Sequence, residues 1–307
     1  MPMSRRRNEV KRNSLNTTYE GIERTAIDAL LDGLLKSLDY LGEQKQAILD
    51  KVESAMLQYL VETGTISRSG RKRDLIFSLT RLLVKNGYSP KSPTRSPTQP
   101  GTSSLPKLIK TLAPAGRHHG GAAYSERSDS RGRERVDWML YEAVLYAMTK
   151  ALEDQLGVQG QLFLDKIGTS MLDYLFKVGA IKRSDDPEIL LQRVIDYFVK
   201  AGYAKSFRFE LEGAPPNTFV SRYESARYYK NVFRRTQKEG SALLACPLCV
   251  IGHSIWATRG WRFGDVFEVR ISSGGNVFSR ARIYPATERF TEKDAQRFSQ
   301  MKVQPPA

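Results

Sequence analysis

The apolar positions of the chain describe helices first. Ile27, Leu30, Leu31, Leu34, Leu35 and Leu38 recur at the i, i+3, i+4 spacing of one buried face. They predict a helix over Ile22 to Tyr40, broken by Gly42. Ile48, Val52, Met56, Tyr59 and Leu60 give a second helix that stops near Gly64. A third runs from Arg73 to Asn86, with Gly87 as its C-terminal cap. The pattern then returns. Asp39 to Tyr88, moved forward by 115 positions, lies on Asp154 to Tyr203 without a gap. Leu41-Gly42 meets Leu156-Gly157, Leu49-Asp50-Lys51 meets Leu164-Asp165-Lys166, and Met56-Leu57 meets Met171-Leu172. Gly64, Ile66, Arg68 and Ser69 meet Gly179, Ile181, Arg183 and Ser184, and Gly87-Tyr88 meets Gly202-Tyr203. This is a duplicated three-helix unit.

The second copy opens with a helix through Leu140, Val144, Leu145, Met148, Leu152 and Leu156, and it continues where the first copy stops. Phe207 to Glu212 alternates like a strand and ends at Gly213. Phe219 to Lys238 reads as a short strand leading into a helix, and Leu243 to Thr258 as apolar and helical after Pro247. Phe263 to Ile271 and Val277 to Tyr284 flank a five-residue, glycine-containing hairpin loop. The fold class is therefore α+β: a duplicated three-helix unit whose second copy is extended by a small, mostly antiparallel sheet with helices. Two amphipathic copies in one chain can bury their apolar faces on each other, which suggests an internal pseudo-dimer.

Between the copies the composition changes. Residues 89–135 are rich in Ser, Pro, Gly and Arg, with Ser89-Pro90, Ser92-Pro93, Ser96-Pro97 and Gly120-Gly121, and read as a disordered linker. Residues 1–20 read as a disordered basic arm. Copy 1 then spans 21–88, copy 2 with its α/β module 136–290, and a C-terminal helix (Thr291 to Met301) and tail 291–307.

The formal net charge of +15 favours anionic partners, nucleic acid among them. Much of that excess lies in the arm, in the inter-helix turn at Arg68 to Arg73 and in the linker, which weakens the inference. No run approaches a membrane span, and no apolar segment follows the basic start as in a secretory signal. The two cysteines offer no disulfide framework, so a cytoplasmic setting is expected.

Three clusters carry candidate chemistry. Cys246, Cys249 and His253 have metal-ligand spacing on a helix beginning at Pro247 and suit zinc; the same C-P-x-C suits thiol redox exchange; in so apolar a run it also suits plain burial. Trp256, Trp261 and Phe263 can line an apolar pocket or pack in a core. Arg222, Arg227, Tyr228, Lys230, Arg234, Arg235 and Lys238 interleave bases with aromatics, as a nucleic-acid surface does and as an ordinary amphipathic helix also does. No phosphate loop, G-x-S-x-G, H-E-x-x-H or strand-borne carboxylate pair occurs, and the expectation is a non-enzyme.

Tyr174-Leu175 with Gly179, Gly202-Tyr203 before a strand, the cysteine-bearing helix Cys246 to His253 and the final hairpin resemble the 4-vinyl reductase-like domain of the TRAPP-like fold, over about 136–285. The resemblance implies dimerisation through the N-terminal helices, a small hydrophobic or aromatic ligand, and a place as sensor in a regulator. Some members hold zinc through cysteines; this chain lacks the further cysteine expected near the hairpin. Together these features point to a regulatory sensor or adaptor that binds a small hydrophobic ligand or a protein partner. The alternative is a cytoplasmic DNA- or RNA-binding protein.

Overall fold

The computed structural model describes residues 21–88, 134–213, 216–241, 243–258 and 260–285. The expected arm 1–20, all but the end of the linker and the helix Thr291 to Met301 lie outside them. Among the described residues the protein is mixed α+β, with eight α-helices and two antiparallel sheets.

Strand β1 (Gly21–Glu23) leads into α1 (Arg24–Leu38), α2 (Gln44–Glu62) and α3 (Lys72–Lys85). After the gap, β2 (Arg135–Asp137) leads into α4 (Trp138–Leu156), α5 (Gly160–Lys177) and α6 (Pro187–Lys200). Arg135, assigned to the linker from sequence, belongs to β2. The short strands pair antiparallel, Ile22 opposite Val136 and Gly21 opposite Asp137. Local chemistry sets the helix ends. Gly42 and Gly157 take φ of 53° and 54°, which L side chains disfavour, and turn the chain between the first and second helices of each half. Asp186 caps α6, accepting from the backbone N–H of Glu188 at 2.8 Å, with Pro187 in the first turn.

The helices interlock crosswise: α1 packs on α5, and α2 on α4. Gly33 makes the first crossing close, since a Cβ there would stand 2.8 Å from the Ile167 carbonyl oxygen and from Met171 Cγ. Tyr59 of α2 meets Tyr146 of α4 with ring centroids 5.0 Å apart.

Beyond α6 come β3 (Ser206–Gly213), β4 (Pro216–Glu224), a π-helical turn (Tyr229–Phe233) running into α7 (Arg234–Lys238), α8 (Pro247–Ala257), β5 (Trp261–Ile271) and β6 (Val277–Pro285). The four strands make one antiparallel sheet in the order β3-β4-β6-β5. Helix α8 lies against α5, α6 and β5. Gly168 of α5 permits this: a Cβ there would stand 2.2 Å from the Val250 carbonyl oxygen. The apolar core runs unbroken from α1 to the sheet.

Candidate functional site

Between the sheet and the helices lies an apolar cavity of about 610 Å³, counting the solvent at its mouth. Strand periodicity supplies one wall: Phe219, Ser221 and Tyr223 of β4 all point the same way, and Ser279 and Ala281 of β6 join them. Leu191 and Ile195 of α6 form another side, Tyr229 and Phe233 of the π turn a third. Helix α8 closes it with Leu248, Cys249, Gly252 and His253. Polar groups in the wall are few and mutually engaged. Ser221 Oγ lies 2.6 Å from Ser279 Oγ, and His253 Nδ1 lies 2.9 Å from Asp165 Oδ1. An apolar space with a handful of converging polar atoms is the usual form of a small-molecule site.

Cys246 and Cys249 sit at its inner edge, both free. Cys246 is the N-cap of α8, in extended geometry (φ −63°, ψ 118°), and fully buried. Its Sγ lies 3.2 Å from the Tyr203 hydroxyl and 3.8 Å from that of Tyr223. Cys249 Sγ lies 3.6 Å from the Tyr223 hydroxyl and 3.4 Å from that of Tyr229. Burial pushes these three tyrosines well above the ordinary phenol range, so they stay protonated donors. Burial also pushes the Cys246 thiol up, but hydrogen bonds from Cys249 and Tyr203 outweigh it and bring it below the usual thiol range. The bond to Cys246, and then burial, drive Cys249 the other way.

The zinc expectation is corrected. Among the described residues no group of three or more His, Cys, Asp or Glu side chains is arranged to hold a metal ion. His253 shares a helix with the cysteines but turns its ring to Asp165 of α5. Of the expected pocket residues, Trp256 is corrected. Trp256 is buried one turn beyond His253 and is not part of the cavity wall. The backbones of Trp261 and Phe263 pair with Pro285 and Ile283 at the far edge strand, and their side chains lie outside the described residues. Among the described residues the cavity is walled by β3, β4, β5 and β6, by α6, by the π turn and by α8 with its approach at Leu244.

The basic-aromatic segment Arg222 to Lys238 is not one helix. Arg222 ends on β4 over the Phe278 ring at 4.8 Å, and the helical part begins after Ala226. Tyr223, Tyr228 and Tyr229 are buried, which leaves none of them open for base stacking. Arg234 donates to the carbonyls of Ile271 and Ser272 at 2.9 and 2.8 Å. Arg235 pairs with Glu62 and Glu239 and stacks over Tyr146 and Tyr59, at 4.3 and 4.9 Å. Arg227, Lys230 and Lys238 are exposed and remain a surface charge.

One functional-looking group had no signal in the sequence. Glu142 of α4 is buried at 1% exposure and accepts from the Tyr59 hydroxyl (3.2 Å) and from Asn231 Nδ2 (2.7 Å). Burial raises its carboxyl above the usual range, against the pull of those two donors. It ties α2, α4 and the π turn together.

No helix among the described residues is long and apolar enough to cross a membrane. The chain matches no protein-family model, no curated protein and no solved structure.

Proposed function

We propose that this protein is a non-enzymatic sensor or adaptor. Its second half acts as a 4-vinyl reductase-like, TRAPP-like module that holds a small apolar ligand, and its first half takes the place of a second subunit. The cavity carries this reading: it opens between the sheet, the π turn and α8, and its lining is apolar apart from a few hydroxyls, Cys249 and His253. A recessed apolar cavity of this kind favours a small molecule over a protein partner as the thing recognised.

Crosswise helix packing supports the pseudo-dimer. In an isologous interface every contact is reciprocal, so if the first helix of one unit meets the second helix of the other, the converse contact is made as well. Here α1 meets α5 and α4 meets α2. The 115-residue shift also carries the pair Ile22–Val136 onto the pair Asp137–Gly21, as a two-fold relation requires. The lone copy in the first half thus buries the face through which related modules would dimerise.

The test is native mass spectrometry of the full chain after a high-salt wash, followed by titration with aminoanthracene, a neutral aromatic fluorophore. A retained organic mass, or saturable fluorescence that Gly252→Leu abolishes without lowering stability, is the expected result. Fluorescence unaffected by Gly252→Leu would place binding elsewhere and sink the reading.

A further inference from the structure

The two cysteines are placed for more than packing. Cys246 caps α8 and Cys249 stands in its first turn, three residues on. One helical turn separates their Cα atoms by about 5–6 Å, inside the range of about 4.4–6.8 Å that a disulfide spans. Three buried phenol hydroxyls, from three different parts of the fold, converge on the two sulfurs: Tyr203 on Cys246, Tyr229 on Cys249, and Tyr223 on both. A hydroxyl gives a stronger hydrogen bond to a thiolate than to a thiol. The N-terminus of an 11-residue helix adds partial positive charge at the same place. The site is therefore built to hold one negative sulfur beside one protonated sulfur, out of bulk water. Among the described residues, Cys249 is half-buried in the cavity wall while Cys246 lies behind it, so a solute in the cavity meets Cys249 first.

We propose that Cys246 and Cys249 form a reversible dithiol–disulfide switch, oxidised by a small peroxide that enters through the cavity. Cys249, the sulfur in the cavity wall, passes its proton to the Cys246 thiolate and attacks the peroxide; an S–O bond forms, the O–O bond breaks, and the leaving hydroxide takes a proton from solvent to become water. The second sulfur then displaces hydroxide from the sulfenic acid. The S–S bond forms, the S–O bond breaks, and the proton of the second thiol completes another water. The two sulfurs together lose two electrons, and the peroxide gains them. A dithiol reductant reverses the bond by exchange.

Its consequence for the cavity rests on the ligand reading above. Disulfide formation draws Cys249 Sγ towards Cys246 and away from its contacts with Tyr223 and Tyr229, both of which line the same wall. The reduced and oxidised proteins then present different walls to a ligand.

The experiment uses the full chain and stoichiometric hydrogen peroxide, followed by alkylation of the denatured protein and intact-mass analysis. The expected product has lost two hydrogens, retains no oxygen, resists alkylation at both cysteines and reverts with dithiothreitol. Cys246→Ser and Cys249→Ser should each abolish that product. Tyr229→Phe, which leaves both thiols in place and removes the hydroxyl bonded to Cys249, should slow its formation about tenfold, the effect of losing one hydrogen bond to a charged sulfur. Oxygen addition without loss of hydrogens, or no reaction in the folded chain, would overturn the switch. So would equal aminoanthracene affinity in the two states. Disulfide formation with no aminoanthracene binding in either state would instead remove the ligand reading alone.

Discussion

Two glycines, one in α5 against α8 and one in α8 itself, give opposite predictions from the same substitution. In the middle of a helix, Gly→Ala is intrinsically favourable by about 1 kcal/mol. At Gly168, in α5, the new methyl would stand 2.2 Å from the Val250 carbonyl oxygen, 2.5 Å from its carbon and 2.9 Å from the Ile251 nitrogen. All three are backbone atoms of α8, so no side-chain rotation can relieve the clash. Ordinary contact starts near 3.5 Å, which requires α8 to move by about 1 Å. Overpacking of this kind costs about 1–3 kcal/mol, and the backbone clash puts Gly168→Ala at the upper end. Packing wins over propensity, for a net loss of about 2 kcal/mol. At Gly252, in α8 itself, the nearest atom to the new methyl is Leu191 Cδ1 at 3.8 Å, and the propensity gain stands.

Thermal and urea unfolding of the two variants measure this directly. Gly168→Ala should melt lower by several degrees, at about 2–4 °C per kcal/mol for a chain of this size, while Gly252→Ala should melt at or above the parent. Gly168→Ala should also disturb aminoanthracene binding, because the displaced helix forms one side of the cavity. A Gly168→Ala protein as stable as the parent would mean that α8 does not rest on α5 as described, and the cavity argument would fall with it.

Three further outcomes follow. The Asp28 carboxyl, packed under Tyr88 and 3.7 Å from Arg24, is pushed up to about 6 by burial, against the pull of that guanidinium. The native state thus holds this proton more tightly than the unfolded chain. The stability it contributes is full below about pH 4 and is lost as pH rises through about 6, by up to about 3 kcal/mol, and Asp28→Asn should flatten that part of the stability–pH curve; an unchanged curve would refute it. Glu142→Gln should be nearly neutral, since an amide can still accept from Asn231, whereas Glu142→Leu strands two donors and should cost about 1–3 kcal/mol in urea denaturation. Reversal of Lys230 and Lys238 to Glu should leave the melting temperature unchanged; a steeply salt-dependent affinity for single-stranded DNA or RNA that this reversal removes would let the nucleic-acid alternative displace the sensor reading.

The parts legible in the sequence were those fixed by local rules. The ends of α3 and α6 followed from Gly87, Pro187 and the apolar period, and the hairpin of β5 and β6 from its glycine loop. The β1–β2 pair was not legible: three residues hold no period, and the central partners, Ile22 and Val136, lie 114 positions apart along the chain. The cavity was legible only in part for a related reason. Sequence marks bulk, so Trp256 drew attention, while a cavity forms where bulk is missing, at Gly252, Ser221, Ser279 and Ala281. Likewise Arg234 and Arg235 read as surface charge until their partners, Ile271, Ser272, Glu62 and Tyr146, arrived from elsewhere in the chain.

The π turn joins the cavity to the interface between the two halves. A π turn widens a helix by one residue, a local cost that often marks a functional position. Here its residues divide between two tasks. Tyr229 and Phe233 face the cavity, while Asn231, between them, holds the buried Glu142 that also receives Tyr59 from the first half. Arg235 follows directly and is clamped between Tyr59, Tyr146 and Glu62. A regular α-helical turn would rotate Asn231 relative to Tyr229 and Phe233, so the extra residue lets one short segment serve both surfaces. Anything that displaces Tyr229 from the cavity side acts on the same turn that fixes Glu142. The helical first half is thereby coupled to the cavity through hydrogen bonds and ion pairs, not through apolar packing alone.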